Sequence, residues 1–281
     1  MNAIRSGQVA IVTGGASGIG RAVVHALAER GSFPVIFDID TASAERVAEE
    51  VASRGRRAKA LTVDVRDRLA VARAVQEVNA EHGHLDYMFN NAGVSVFGEV
   101  VDYDWAAWQE VIETDLLGVI HGVAACYPLM VKQRSGHIVN TGSLASLVPT
   151  PWVTSYSAAK CGVWGLSMAL RTEAAAYGVR VSCACPAAVE TPMADRARYL
   201  NLDKTEAMKA VPGGRITPEA CAAAILGGIE RNDALITPSA AKWMSLAYRV
   251  TPDGAEKMMQ SIAKKLSALR ADFLKTRRSE A

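Results

Sequence analysis

Residues 8–185 alternate short apolar runs with helix-length segments, and that alternation leaves few folds open. The runs at 8–13, 34–38, 58–63, 85–90, 136–141 and 179–185 carry little polar alternation, as strands covered on both faces do. Between them, 18–30, 42–54, 68–82, 105–132 and 155–177 read as helices. In 42–54, for example, Ala44, Val47, Ala48 and Val51 share one face. Repeated strand–helix units of this length need crossovers, hence a parallel sheet with right-handed connections. The expected class is α/β, a doubly wound parallel sheet with helices on both faces.

After Pro186 the rhythm changes. Residues 187–216 are polar and loop-like, with Pro192, Pro212 and the pair Gly213–Gly214, and are expected to form a lid over a substrate. Helical pattern returns at 218–231, a short strand is expected at 234–237, and 239–275 read as helical. Half of the 281 residues are hydrophobic, enough for a sizeable core. A net charge of +2 gives no reason to expect a nucleic-acid partner. No run approaches the roughly 20 apolar residues of a membrane span; the richest, 116–131, is interrupted by His121 and Pro128. The chain enters a strand-like run without a leader pattern, so a cytoplasmic location is expected. Cys126, Cys161, Cys183, Cys185 and Cys221 form no CxxC pair. Cys183 and Cys185 lie two apart on a strand and share a face, so all five read as small buried hydrophobes. His82 and His84 flank Gly83 at a turn with no further ligand residues, and no metal site is expected.

The first strand runs into Thr13-Gly14-Gly15-Ala16-Ser17-Gly18-Ile19-Gly20. Glycines between a strand and a helix let the backbone turn sharply and approach a pyrophosphate seated on the helix N-terminus. Asp38 closes the second strand, where a carboxylate bonds a ribose hydroxyl. A helix cap is the alternative role, which Asp40 or Thr41 could fill equally well. A carboxylate there repels a 2′-phosphate, and the glycine turn holds no Arg or Lys to offset it, so NAD is expected over NADP. Tyr156 and Lys160 are four apart on a helix and share a face. An ammonium beside a phenol favours the phenolate and makes a proton donor and acceptor. Ser143 follows the preceding strand at the carboxyl edge, where open α/β sheets bind ligands.

Together these residues resemble the short-chain dehydrogenase/reductase family, whose fold is of the Rossmann type. The resemblance runs in order over residues 5–192, through TGGASGIG, Asp38, Asp64-Val65, Asn90-Asn91-Ala92-Gly93, Ser143, Tyr156-Ser157-Ala158-Ala159-Lys160 and Pro186 to Thr191-Pro192. It implies that Ser143 polarises the substrate oxygen, Tyr156 exchanges a proton with it, and Lys160 holds the nicotinamide ribose and lowers the Tyr156 pKa. It implies further cofactor contacts from Gly14, Ser17, Gly18, Ile19, Gly20, Asp64, Val65, Asn91, Ala92, Gly93, Thr141, Pro186, Val189 and Thr191. Two positions depart from the family pattern. Asp115 stands where the family carries Asn, in Thr114-Asp115-Leu116-Leu117-Gly118, and Ala187 follows Pro186 where the family carries Gly. A charged Asp115 near Lys160 would raise the Tyr156 pKa.

The function implied is hydride transfer between NAD and a secondary alcohol or ketone, apolar or bulky given Met193, Tyr199 and Leu200 in the lid. The alternatives are an NADP-dependent ketoacyl-type reductase, against which Asp38 speaks, and a non-catalytic NAD-sensing protein. Residues 1–238 form the expected dinucleotide-binding catalytic domain, and 239–281 a helical C-terminal extension of it. In that extension Met259, Ile262, Leu266, Leu269 and Phe273 recur among lysines and arginines. Packing on the core or on a subunit of a homo-oligomer is expected, and a membrane surface is the other reading.

Overall fold

The strand runs line up side by side in the computed structural model, which describes residues 4–210, 214–238 and 241–280. Seven parallel strands form the main sheet: β1 (Val9–Thr13), β2 (Phe33–Asp38), β3 (Lys59–Thr62), β4 (Tyr87–Asn90), β6 (His137–Thr141), β7 (Arg180–Ala184) and β9 (Leu235–Ile236). Their order is β3-β2-β1-β4-β6-β7-β9. The winding direction reverses between β1 and β4, which opens a crevice at their carboxyl ends. A second, two-stranded piece pairs β5 (Val96–Phe97) with β8 (Arg198–Tyr199).

Successive residues of β1 supply both layers of the core. Val9 and Ile11 face α3 (Arg68–His82), α5 (Gly118–Gln133) and α6 (Thr154–Ala174) through Val75, Met130 and Val163. Ala10 and Val12 face α1 (Gly18–Glu29), α2 (Thr41–Ser53) and α9 (Pro218–Arg231) through Leu27, Val47 and Ile225. Burying each such side chain contributes roughly 1.5–3 kcal/mol. Helix starts follow the local chemistry. Asp67 accepts from the Leu69 and Ala70 N–H groups, and Thr217 accepts from Ala220 ahead of α9, with Pro218 at its first position.

The structure corrects several expectations. The expected helix 105–132 is α4 (Trp105–Ile112), a π-turn (Glu113–Leu117) and α5. The joined stretch Trp105–Gln133 is long and apolar enough to cross a membrane, contrary to the sequence reading; here Val119, Cys126 and Met130 bury its inner face in the core. The segment 187–216 is not simply a loop. It holds α7 (Met193–Arg196), β8 and α8 (Lys204–Ala210), while Pro212 and Gly213 lie outside the described residues. The C-terminal region forms α10 (Ala241–Val250) and α11 (Pro252–Glu280). Packing on the core is one expected use of the apolar face of α11, and there Ile262, Leu266 and Leu269 pack with Trp152 and Leu202.

Candidate active site

The loop after β1 is held by sterics that only glycine satisfies. Gly14 has φ +63° and lies so near the loop after β4 that a methyl on it would stand 2.8 Å from the Ala92 Cα. A methyl on Gly20 would stand 2.2 Å from the Gly14 carbonyl oxygen. The loop delivers the N-terminus of α1, where Ser17 leaves its side chain off the first-turn N–H groups and no acidic side chain occupies the first turn. Those donors and the positive end of the helix fit a pyrophosphate.

Asp38, at the end of β2, accepts the Ala16 N–H at 3.0 Å through Oδ2 and the Asp40 N–H at 3.1 Å through Oδ1. It is thereby fixed against the glycine turn, while Asp40 takes the cap of α2 by accepting from Ser43. The nearest basic residue after the turn, Arg21, is engaged 2.7 Å from Glu50. Asp64 is tied up by Arg66, 2.6 Å away, which also holds its carboxyl below the usual range. Val65 is buried, and its carbonyl is 2.9 Å from His121 Nδ1. Thr13 Oγ1 accepts the N–H groups of Asn91 and Ala92 at 2.9 and 3.0 Å, which binds the loop after β4 to the end of β1. Thr191 lies over Gly18, within 3.0 Å of where a Cβ there would be. Val189 bridges to Ile216, and the Pro186 carbonyl accepts the Leu144 N–H at 2.7 Å. The sequence-expected cofactor positions stand at or after the carboxyl ends of β1, β2, β3, β4, β6 and β7, and the glycine-framed start of α1 has room and donors for the pyrophosphate of a dinucleotide.

Across the crevice, Ser143 leaves β6 and caps the short turn Leu144–Ser146, its Oγ accepting the Ala145 N–H at 3.1 Å. An oxygen that already accepts keeps its own proton to donate. Burial raises the Tyr156 pKa, and the same Ser143 hydroxyl, facing the phenol, opposes part of that rise. Lys160 Nζ donates to the Thr141 carbonyl at 3.0 Å and lies 5.4 Å from the Tyr156 ring centre. Ser146, which sequence reasoning missed, accepts the Ser143 N–H at 3.0 Å and donates to the Lys160 carbonyl at 2.8 Å. It joins the turn to the helix that carries Tyr156. Below the site, Asn90 donates to Asn140 and Asn140 to Ser167, polar links inside otherwise apolar strands.

Asp115 lies on the π-turn, fully buried, with Oδ2 3.0 Å from the Lys160 ammonium and off the hydrogen-bond direction. Its Oδ1 accepts the Val94 N–H at 2.8 Å. Burial pushes the Asp115 carboxyl up while Lys160 draws it back. Burial also opposes the Lys160 charge, but Asp115 and Tyr156 outweigh it, and the ammonium is stabilised. Burial raises Tyr156; Lys160 opposes that rise, as expected, and Asp115 adds to it, as expected. The net direction is upward, contrary to the lowered phenol pKa expected from the Tyr156–Lys160 spacing, because burial and Asp115 together exceed the help the phenolate receives from Lys160. No group of three or more His, Cys, Asp or Glu able to hold a metal occurs among the described residues.

The arrangement provides a donor hydroxyl, a phenol beside a buried ammonium, and a glycine-framed anion seat within one crevice. Comparison with known proteins gives the same picture. Residues 8–200 match the profile of the short chain dehydrogenase family. The chain is 36% identical over 228 residues to a 3-oxoacyl-[acyl-carrier-protein] reductase, FabG, of Chlamydia muridarum, covering 80% of this chain and 91% of the relative. It is 34% identical over 218 residues to the oxidoreductase UcpA of Escherichia coli K12, with coverages of 75% and 82%. Among solved structures, a short chain dehydrogenase/reductase from Burkholderia phymatum in complex with NAD superposes with a TM-score of 0.82 at 26% identity, over 91% of this chain and 97% of that one. A short-chain dehydrogenase from Sphingobium yanoikuyae in complex with NADPH gives a TM-score of 0.74 at 26% identity, over 90% and 95%.

Proposed function

The chain belongs to the short-chain dehydrogenase family, and from that premise we propose that it is an NAD-dependent oxidoreductase of secondary alcohols and ketones. The observation that carries the reaction is the convergence of Ser143, Tyr156 and Lys160 at the carboxyl edge of β6. The bound dinucleotide supplies the hydride acceptor or donor. The chain's own residues handle the oxygen and its proton. Ser143 donates to the substrate oxygen and orients it. Tyr156 takes the hydroxyl proton at its phenolate in oxidation and returns it in reduction. Lys160, anchored by Thr141, steadies the negative charge on Tyr156 and would hold the ribose of a bound cofactor. Asp115 fixes Lys160 from behind.

Asp38 supports NAD. Its carboxylate stands free of the helix cap, beside the seat for the adenosine ribose, and repels a 2′-phosphate. Arg21 and Arg66 are both paired to acids, while the charges of Arg46 and Arg196 reach Asp40 close by, so it is the Asp38 carboxylate that speaks against the rival NADP-dependent ketoacyl-type reading. An apolar or bulky substrate is supported by the apolar cluster that Tyr156 packs against, which holds Val96 and Ala107 and also takes Val94 and Leu200. Exposed Trp105, Leu117 and Ile120 support a homo-oligomer, which light scattering would test. The deciding experiment follows NADH and NADPH absorbance across a panel of secondary alcohols and ketones. Turnover with higher kcat/KM for NAD is expected. Equal efficiency with NADP would overturn the cofactor assignment. NAD binding without turnover of any member would favour a nucleotide-sensing protein instead.

A further inference from the structure

The lid segment at 198–202 has two differently occupied sides. Its backbone is tied to β5, with Leu200 N–H donating to the Phe97 carbonyl at 2.8 Å and Tyr199 stacked on Phe97 at 5.1 Å. Leu200, Val94 and Tyr156 each pack against one buried cluster of Val96, Ala107, Val111 and Ala159. Tyr199 and Leu202, its neighbours, pack instead with Trp152 and with Leu266 and Ile262 of α11. The lid is therefore a thin layer between the Tyr156 wall and the C-terminal helix.

One carboxylate fastens both layers. Asp102, in the turn Val100–Asp102, lies near the Asn201 side chain of the lid, which with Arg270 holds its carboxyl below the usual range, and receives Arg270 of α11 in a two-pronged contact at 2.5 and 2.6 Å. Glu99 adds a second acid 3.4 Å from the same guanidinium. Asn201 takes φ 49°, a conformation Asn tolerates better than most residues, and so belongs to a shaped turn. Trp152 closes the assembly. It is buried, adopts φ 69°, and its carbonyl accepts the Gly98 N–H at 2.9 Å, two residues ahead of the helix that carries Tyr156. A bulky non-glycine residue held at positive φ marks a conformation imposed by its surroundings.

We propose that α11 is the outer wall of the substrate site: Arg270 and Leu266 act through Asp102, Trp152 and the lid to set how far Leu200 stands from Tyr156, and thereby which apolar ketones fit. Arg270 and Leu266 are positioning residues, and Leu200 is the specificity residue they place. The proposal rests on the oxidoreductase reading above. It gives the C-terminal helix a role in substrate selection that is independent of oligomer formation.

The test uses the full chain with Arg270→Ala and, separately, Leu266→Ala. Steady-state kinetics with a bulky and a small ketone from the panel are compared with the NAD dissociation constant. Arg270→Ala should raise the KM for the bulky ketone about tenfold, the scale of losing a charge-assisted paired contact. Its kcat should change much less and NAD binding should stay unchanged. Leu266→Ala should change the ratio of kcat/KM for bulky against small substrate. Unchanged substrate KM and ratio in both variants would overturn the proposal, as would a parallel loss of NAD affinity, which marks general loosening. Hydrogen exchange at the amides of 198–207 gives a second reading, faster in Arg270→Ala if the latch exists and unchanged if it does not. That measurement needs no turnover, so a failure of the oxidoreductase reading is distinguishable from a failure of the latch. A variant that does not fold is replaced by Arg270→Lys, whose point charge cannot reproduce the two-pronged contact.

Discussion

Asp115 and Lys160 form a buried pair at the back of the site, and the charge of the first reaches Tyr156 directly as well as through the second. In alcohol oxidation Tyr156 must be deprotonated to accept the hydroxyl proton, so anything that raises its pKa moves the active limb to higher pH. Asp115→Asn removes one raising influence, and its kcat/KM against pH should shift toward acid relative to the parent enzyme. Superimposable curves would show Asp115 neutral across the working range. Tyr156→Phe keeps the ring and removes the proton, so kcat should fall by about 10²–10⁴ with NAD binding preserved; retention of a tenth of the rate would contradict an acid–base role. Asp38→Ala should narrow the ratio of kcat/KM for NAD over NADP, because it removes the carboxylate beside the ribose seat. Much at this scale was legible in the sequence. Tyr156 and Lys160 share a helix face by spacing alone, and the Asp115 position was marked by its motif. Ser146 and Thr13 were not identified as ties, because each works through backbone groups that tertiary structure brings within reach.

At the scale of elements, the glycine turn is the piece whose geometry tolerates least. Gly20→Ala places a methyl against the Gly14 carbonyl, so NAD affinity should fall more than tenfold and the melting temperature should drop. Titration with NAD and a thermal melt would check both, and parent-like affinity would remove the turn from the cofactor seat. The strands of the main sheet were readable because burial on both faces makes them continuous apolar runs. The pair β5–β8 was not, since two residues carry no period and their partners lie about a hundred positions apart in the chain. The π-turn inside the expected helix 105–132 was equally silent, because the buried positions of that stretch, Ala107, Val111, Asp115 and Val119, keep the four-residue spacing an α-helix also shows. In the lid, α8 is a short, largely polar helix whose buried Ala207 joins Leu202 and, from distant segments, Trp152 and the α11 residue Leu266. The period of α11 itself was visible; what it covers was not, because Trp152 and Leu202 reach it from distant segments.

Across the whole molecule, pH sensitivity should centre on His137 in β6, fully buried with Nε2 2.8 Å from Ser182 Oγ. Burial, with Arg180 and Arg171 adding to it, holds its pKa down at about 3, against about 6.5 for an unfolded histidine. Above the unfolded value the ring is neutral in both states and the fold keeps its full stability. As pH falls from there toward 3, the unfolded chain binds a proton that the folded chain refuses, and stability drops by up to about 1.4 kcal/mol per pH unit. His137→Gln should flatten the dependence of melting temperature on pH in that window, whatever its effect on stability at neutral pH; an unchanged slope would assign acid sensitivity elsewhere. The packing of α1 on α9 has a consequence for how the chain is made. Val23, Val24 and Leu27 of the first helix share a layer with Ile225, Leu226 and Ile229 of a helix that begins at Pro218. At 5–20 residues per second, a ribosome leaves that first apolar face uncovered for roughly 10–40 s. A nascent chain halted before Pro218 should therefore be protease-sensitive and a ready client for chaperones, although its glycine turn and all the residues proposed for chemistry have already been synthesised.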